Sequence, residues 1–164
     1  MHDAEIHGVR VVLVPLGADD ADELAGLLED PIVRGFLGVA ELAGLRRRFA
    51  SWESRRAPHG GQAWLNWVVR TRDDRRALGW VQATVEDATA RVAYSLLPAE
   101  RGRGAASDAV RAMAAWLRAT LGVTEITASI APDNAASEHV ARAAGFTPTD
   151  RRADDERVWV QRAY

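Results

Sequence analysis

The run Leu96-Leu97-Pro98-Ala99-Glu100-Arg101-Gly102-Arg103-Gly104-Ala105-Ala106 constrains the architecture of this chain more than any other. Residues 90–97 ahead of it read as a strand. Behind it, Ala106, Ala109, Val110, Met113, Trp116, Leu117 and Leu121 fall on one face of a helix over residues 105–121, which Gly122 closes. A strand that passes through two glycines into a long amphipathic helix belongs to an α/β domain. Such a turn is also an anion site. The first N–H groups of a helix have no internal partners, its dipole presents partial positive charge there, and glycines let a phosphate come close. Arg101 and Arg103 add full charges. The same residues also read as a plain helix cap, or as an arginine-glycine segment that binds RNA. They form neither a lysine-containing P-loop nor a three-glycine dinucleotide fingerprint.

With 164 residues, 48% of them hydrophobic, the chain is expected to form a single domain over residues 1–164. Its 21 cations are all arginine and face 23 carboxylates, a net charge of −2 that argues against attachment to nucleic acid by overall charge. The charges are unevenly placed: residues 1–30 hold one arginine and eight acids, residues 31–76 ten arginines and four acids. There is no cysteine, hence no disulfide, thiolate ligand or acyl-cysteine intermediate, which suits a reducing compartment. The four histidines, at 2, 7, 59 and 139, lack metal-ligand spacing, so no metal is expected. The first apolar run, residues 9–16, is short and contains Arg10, unlike a signal peptide, and no stretch approaches the ~18 apolar residues of a membrane span. A cytoplasmic protein without membrane partners is the expectation.

Residues 10–16 read as a strand. Ala18-Asp19-Asp20 then supplies capping chemistry for a helix carrying Ala21, Leu24, Ala25 and Leu28, which Pro31 is expected to stop. A second helix spans residues 41–56, with Leu42, Leu45, Phe49 and Trp52 on one face, and Pro58-His59-Gly60-Gly61 breaks it. Strands at 63–71, 77–85 and 90–97 form a meander. After the long helix come a strand at 124–130, a helix at 135–144 and a closing pair of strands from Phe146, giving the order βααβββαβαββ. Trp64 and Trp67 have opposite parity, so they face opposite sides of their strand. Gln82 and Thr84 share one parity on a central strand and are candidate cleft residues. His59, between Pro58 and Gly60, reads as a loop residue.

The segment Arg101-Gly-Arg-Gly-Ala-Ala106 resembles the (Gln/Arg)-x-x-Gly-x-(Gly/Ala) signature of the GNAT (GCN5-related N-acetyltransferase) superfamily. One strand later, Asn134-Ala-Ala-Ser137 leading to Ala143-Ala144-Gly145-Phe146 is similar to that family's Asn-x-x-Ser and Ala-Gly-Phe segment. The resemblance covers residues 9–162 and is nearest the RimJ/RimL-like branch. Two residues depart from it: Ala105, where a larger side chain is common, and Asp108, where the branch usually has Glu. The resemblance implies a mixed, mostly antiparallel α/β sheet of about seven strands, splayed in the middle and flanked by about four helices.

It also implies a function, an acyl-CoA-dependent transfer of an acetyl group from acetyl-CoA to a primary amine by direct attack. The acceptor would be a small-molecule amine or a protein N-terminus. Leu96 and Leu97 would pair with the pantetheine amides as an added strand does. The turn of Arg101, Gly102, Arg103, Gly104, Ala105 and Ala106 would hold the pyrophosphate, and Asn134 would bond to pantetheine. Ser137 would be the general acid that assists the departing thiolate. From the residues alone, without the resemblance, Asn134 reads as a helix N-cap and Ser137 as a first-turn polar residue. Glu86 is the candidate base, with Asp87 and Glu156 as further carboxylates, since residues 92–97 contain no acid. A homodimer through the closing strands or the second helix is compatible with the sequence. Two other readings are a non-catalytic acyl-CoA-binding regulatory module of the same fold, and a nucleic-acid surface built on Arg46-Arg47-Arg48, Arg55, Arg56 and the arginines of 70–76.

Overall fold

The computed structural model describes residues 4–56 and 60–162, so His59 lies outside the described residues. Eight strands form one sheet: β1 (Ile6–His7), β2 (Val11–Pro15), β3 (Ala63–Thr71), β4 (Ala77–Glu86), β5 (Thr89–Leu96), β6 (Glu125–Ile130), β7 (Thr147–Ala153) and β8 (Glu156–Arg162). Their spatial order is β1-β2-β3-β4-β5-β6-β8-β7. Every neighbouring pair is antiparallel except β5 and β6, which run parallel. The helices are α1 (Pro31–Leu37), α2 (Leu42–Trp52), α3 (Ala105–Leu121) and α4 (Ala135–Ala143). The crossover from β5 to β6 through α3 is what a parallel neighbour requires.

Strand alternation sorts the apolar residues onto two faces. On one, Leu65, Trp67, Val69, Val81 and Ala83 pack with Val110, Met113 and Leu117 of α3 and Ala141 of α4. On the other, Val68 and Trp80 pack with Leu45, Phe49 and Trp52 of α2 and Leu37 of α1. The opposite parity of Trp64 and Trp67 is resolved accordingly. Trp67 meets Trp116 edge to face at 5.5 Å, while Trp64 lies half-buried against the α1–α2 layer.

The helix expected over residues 18–30 is instead two 3-10 turns, Ala18–Ala21 and Ala25–Glu29. Pro31 does not stop a helix; it starts one. Asp30 caps α1, its Oδ1 accepting from the Ile32 N–H at 2.9 Å, and Pro31 takes the first helical position, where its missing N–H costs nothing. Asp-Pro serves equally as a stop and as a start, and the burial of Val33 and Leu37 against the sheet decides between them. The other difference is the short strand β1, which precedes the first one expected. The uneven charge distribution also finds its explanation, because acids of residues 1–30 pair with arginines of 31–76. Arg70 binds Asp20 and Glu23, each at 2.9 Å, Arg46 binds Asp22 at 2.6 Å, and Arg75 binds Glu5. The Arg70 hydrogen bond holds the Glu23 carboxyl below its ordinary pKa, and Glu23 in turn raises that of Arg70.

Candidate functional site

The sheet opens between β5 and β6. β4 and β5 pair along their whole length, from Gly79↔Leu96 to Glu86↔Thr89, whereas β5 and β6 pair only through Thr89, Ala90 and Arg91. Beyond Arg91 the strands diverge, leaving Val92 to Leu96 on one wall and Ala128 to Ile130 on the other. Backbone polarity alternates along β5. The Leu97 N–H donates to the Leu78 carbonyl at 2.8 Å, and the Ala88 carbonyl on the opposite side accepts from the Thr124 N–H at 2.8 Å. The backbone groups of Val92, Tyr94 and Leu96 therefore point into the gap, while those of Ala93 and Ser95 point to β4. Leu96 thus stands on the open edge. Leu97 does not, since its N–H is engaged within the sheet. The open edge from Val92 to Leu96 is about 13 Å long.

At its far end lies the start of α3. Gly104 is the N-cap in a left-handed conformation, φ 83°, and no side chain caps the helix. A Cβ at Gly104 would find only the Arg10 guanidinium within 4 Å, at 3.8 Å, and one at Gly102, also φ 83°, would meet nothing. Arg101, Gly102, Arg103 and Gly104 are exposed, while Ala105 and Ala106 bury their methyl groups in the core. The N–H groups of the first turn thus have no side-chain cap, and the Arg10 guanidinium is the side chain nearest to them on the Gly104 side. The two arginines of the turn differ. Arg101 is tied inward, donating from Nη2 to Asp30 at 2.7 Å and from Nε to the Leu96 carbonyl at 3.3 Å. Arg103 projects outward, 72% exposed, 3.8 Å from Glu100, which also pairs with Arg76. Arg10, which the sequence presented only as a strand residue, reaches this turn and donates to the Arg103 carbonyl at 3.2 Å.

Arg10 is held there by Asp108. This carboxylate, 5% exposed, accepts from the backbone N–H groups of Val9, Arg10 and Val11 at 3.0, 2.8 and 3.1 Å. Asp108 is therefore the clasp between α3 and the start of β2, a role its position on a helix did not disclose.

The α3–α4 side of the gap is closed by Tyr94, whose hydroxyl donates to the Ser137 carbonyl at 2.9 Å. Burial pushes the Tyr94 pKa up, so the phenol stays protonated and able to donate. Sequence reasoning missed Tyr94; its parity on β5, shared with Val92 and Leu96, was the available signal. Ser137 is half-buried in the first turn of α4, and Asn134 caps that helix, its Oδ1 accepting from the Ser137 N–H at 3.1 Å. The cap occupies the amide oxygen and leaves Nδ2 to donate elsewhere.

Thr84, Gln82, Ala93 and Ser95 are half-buried on the other face, toward α1 and α2. Glu86 shares that face two residues beyond Thr84, about 7 Å along β4, and accepts from the Gln62 side chain at 3.2 Å. Asp87 lies in the β4–β5 turn with φ 53°, and Glu156 opens β8 next to Arg157, which pairs with the last residue of β6. Among the described residues no group of His, Asp and Glu side chains is placed to hold a metal, and no helix is long and apolar enough to cross a membrane.

The sequence matches the acetyltransferase (GNAT) domain family over residues 10–147. No curated protein sequence matches it. Solved structures share the fold. A Vibrio cholerae protein assigned to the ribosomal-protein-serine acetyltransferases superposes with a TM-score of 0.79 at 16% identity, covering 99% of both chains. An aminoglycoside acetyltransferase solved with coenzyme A gives 0.73 at 18% identity, over 93% of this chain and 94% of the other. The ribosomal-protein-S5-alanine acetyltransferase of Vibrio fischeri gives 0.71 at 18% identity, over 96% and 95%.

Proposed function

This chain belongs to the acetyltransferase (GNAT) family, and from that premise we propose that it is an N-acetyltransferase that carries an acetyl group directly from acetyl-CoA to a primary amine. The observation that carries the reading is the loss of β5–β6 pairing beyond Arg91, an open strand edge that leads straight to an uncapped helix start. The described residues fit acetyl-CoA. Val92, Tyr94 and the Leu96 N–H offer strand-like partners for the pantetheine amides, and the Asn134 Nδ2 is available from the far wall. The N–H groups of Arg103, Gly104, Ala105 and Ala106 and the guanidinium groups of Arg10 and Arg103 suit a pyrophosphate. Bound there, acetyl-CoA supplies an activated acetyl group as a thioester.

The remaining chemistry falls to this chain's own side chains. With one face of the gap closed by Tyr94 and α4, the amine enters over Thr84, Gln82 and Ala93. Glu86 is the carboxylate on that face that takes the ammonium proton. Ser137 donates to the departing sulfur, and Tyr94 holds the first turn of α4 that carries Ser137. The relatives named above acetylate aminoglycosides or ribosomal proteins by their descriptions, which supports an amine acceptor from the small-molecule or protein N-terminal class. A cytoplasmic setting accords with a chain that has no cysteine.

Calorimetric titration with acetyl-CoA tests the reading. The wild type is expected to bind with micromolar affinity. Gly104→Asp tolerates the left-handed backbone but places a carboxylate in the phosphate corner, and it is expected to weaken binding by about a hundredfold while melting cooperatively. A wild type that binds no acetyl-CoA would overturn the reading.

A further inference from the structure

Across the sheet face that looks toward α1 and α2, Ala93, Gln82 and Asn66 stand side by side on β5, β4 and β3. The neighbouring row carries Trp80, stacked on Trp52 at 5.7 Å with planes 9° apart and touched by Phe36 at 5.6 Å. Trp80 is therefore immobilised, and its indole N–H, which can only donate, bonds to the Asn66 Oδ1 at 2.9 Å. Gln82 Nε2 donates to the same oxygen, also at 2.9 Å. These two donors fix which way the Asn66 amide faces, and Asn66, 7% exposed, then fixes Gln82. The Gln82 Nε2 must point back to Asn66, so its Oε1 is the end presented outward, and it receives no hydrogen bond from the described residues. Gln82 is half-buried, and its neighbour on the side of the gap, Ala93, contributes only a methyl group.

We propose that Gln82 Oε1 is the group that receives and orients the acceptor amine, set in that role by the Trp80–Asn66 relay. This rests on the reading of the chain as an N-acetyltransferase. A neutral amide oxygen accepts an N–H from the deprotonated amine, and it favours the ammonium far less than a charged acceptor does. A carboxylate in the same place would favour the ammonium, which cannot attack. The amide therefore directs the amine toward the gap without retaining the proton that has to leave. The acceptor it suits is a primary amine with at least one N–H left to donate after its lone pair is aimed at the acetyl carbon.

The test begins with wild-type turnover of a fixed set of amines, namely peptide amides beginning with alanine or serine, and kanamycin. The amine acetylated fastest is the probe. Gln82→Met keeps the side-chain volume and removes Oε1. It is expected to raise KM for the probe by about tenfold, the loss of one hydrogen bond, with acetyl-CoA affinity and melting temperature unchanged. Asn66→Leu, which frees the Gln82 amide, is expected to raise KM in the same direction. Asn66→Asp, which keeps an acceptor for both Trp80 and Gln82, is expected to restore KM to within about threefold of wild type. An unchanged KM in Gln82→Met, or a loss of acetyl-CoA affinity and cooperative melting together with KM, would overturn the proposal. Wild-type protein that binds acetyl-CoA but acetylates none of these amines would overturn it as well. Failure to bind acetyl-CoA at all would instead remove the functional reading beneath it.

Discussion

Helices α3 and α4 both begin on the same side of the sheet at the rim of the gap, yet their first turns are built in opposite ways. In α4, Asn134 turns its amide oxygen onto the Ser137 N–H, so the helix satisfies its own donor. In α3 the N-cap is Gly104, with no side chain to offer, and the acidic residue of the first turn, Asp108, faces away to hold the backbone of Val9, Arg10 and Val11. The difference teaches that a helix start keeps its N–H donors free of a side-chain cap when its acidic side chain is engaged elsewhere. A capped start is a structural joint; an uncapped start flanked by glycines leaves its donors and its dipole for a ligand. α1 is a third variant, capped by the charged Asp30, which also pairs with Arg101 of the turn before α3.

Breaking the clasp is expected to have the largest effect. Asp108→Ala leaves three backbone N–H groups without their acceptor and should lower unfolding free energy by about 3 kcal/mol in urea titrations. It should also weaken acetyl-CoA binding, because Arg10 loses its anchor. Next comes making α3 resemble α4. Gly104→Asn installs a side chain at the uncapped start at a φ that Asn tolerates, and acetyl-CoA affinity measured by calorimetry is expected to fall about tenfold, or about 1.4 kcal/mol. The converse change, Asn134→Ala, should lower stability by about 1 kcal/mol. Asn134→Asp should restore that stability while weakening acetyl-CoA binding, since it keeps the capping oxygen and removes the Nδ2 donor.

The smallest effect concerns pH. The Arg101 hydrogen bond holds the Asp30 carboxyl below its ordinary pKa. The stabilisation is therefore complete above the unfolded value of about 4 and is lost as pH falls through the lower folded value. Melting temperatures of Asp30→Asn below pH 4 should fall less steeply than those of wild type. Equal slopes would show that the pairing does not contribute.

Much of the helix contrast was legible in advance. Gly102, Gly104 and the apolar stripe after them announce an open helix start, and Asn134 followed by Ser137 reads as a cap. The strands of the meander follow from their alternation and the turns between them. Local sequence is ambiguous where one signal serves two structures. Asp30-Pro31 is a stop or a start according to which side packs, and the segment before it buries Ala21, Leu24 and Leu27 from two 3-10 turns rather than from one α-helix. Leu97 shares its hydrophobic character with Leu96, yet backbone parity sends the N–H of one into the sheet and that of the other into the gap.

Sequence alone determined the order of strands and helices from β3 onward, the glycine turn from Gly102 to Gly104 and the absence of a cysteine nucleophile, because each depends on residue type and near-neighbour spacing. Tertiary structure alone decided that Arg10 reaches the helix start, that Tyr94 bridges β5 to Ser137 and that Gln82 presents its oxygen. Those outcomes come from contacts between residues 43 to 93 positions apart for the first two and from a chain of hydrogen bonds running across neighbouring strands for the third. Register and parity set such contacts, and they become fixed only when the whole sheet has paired.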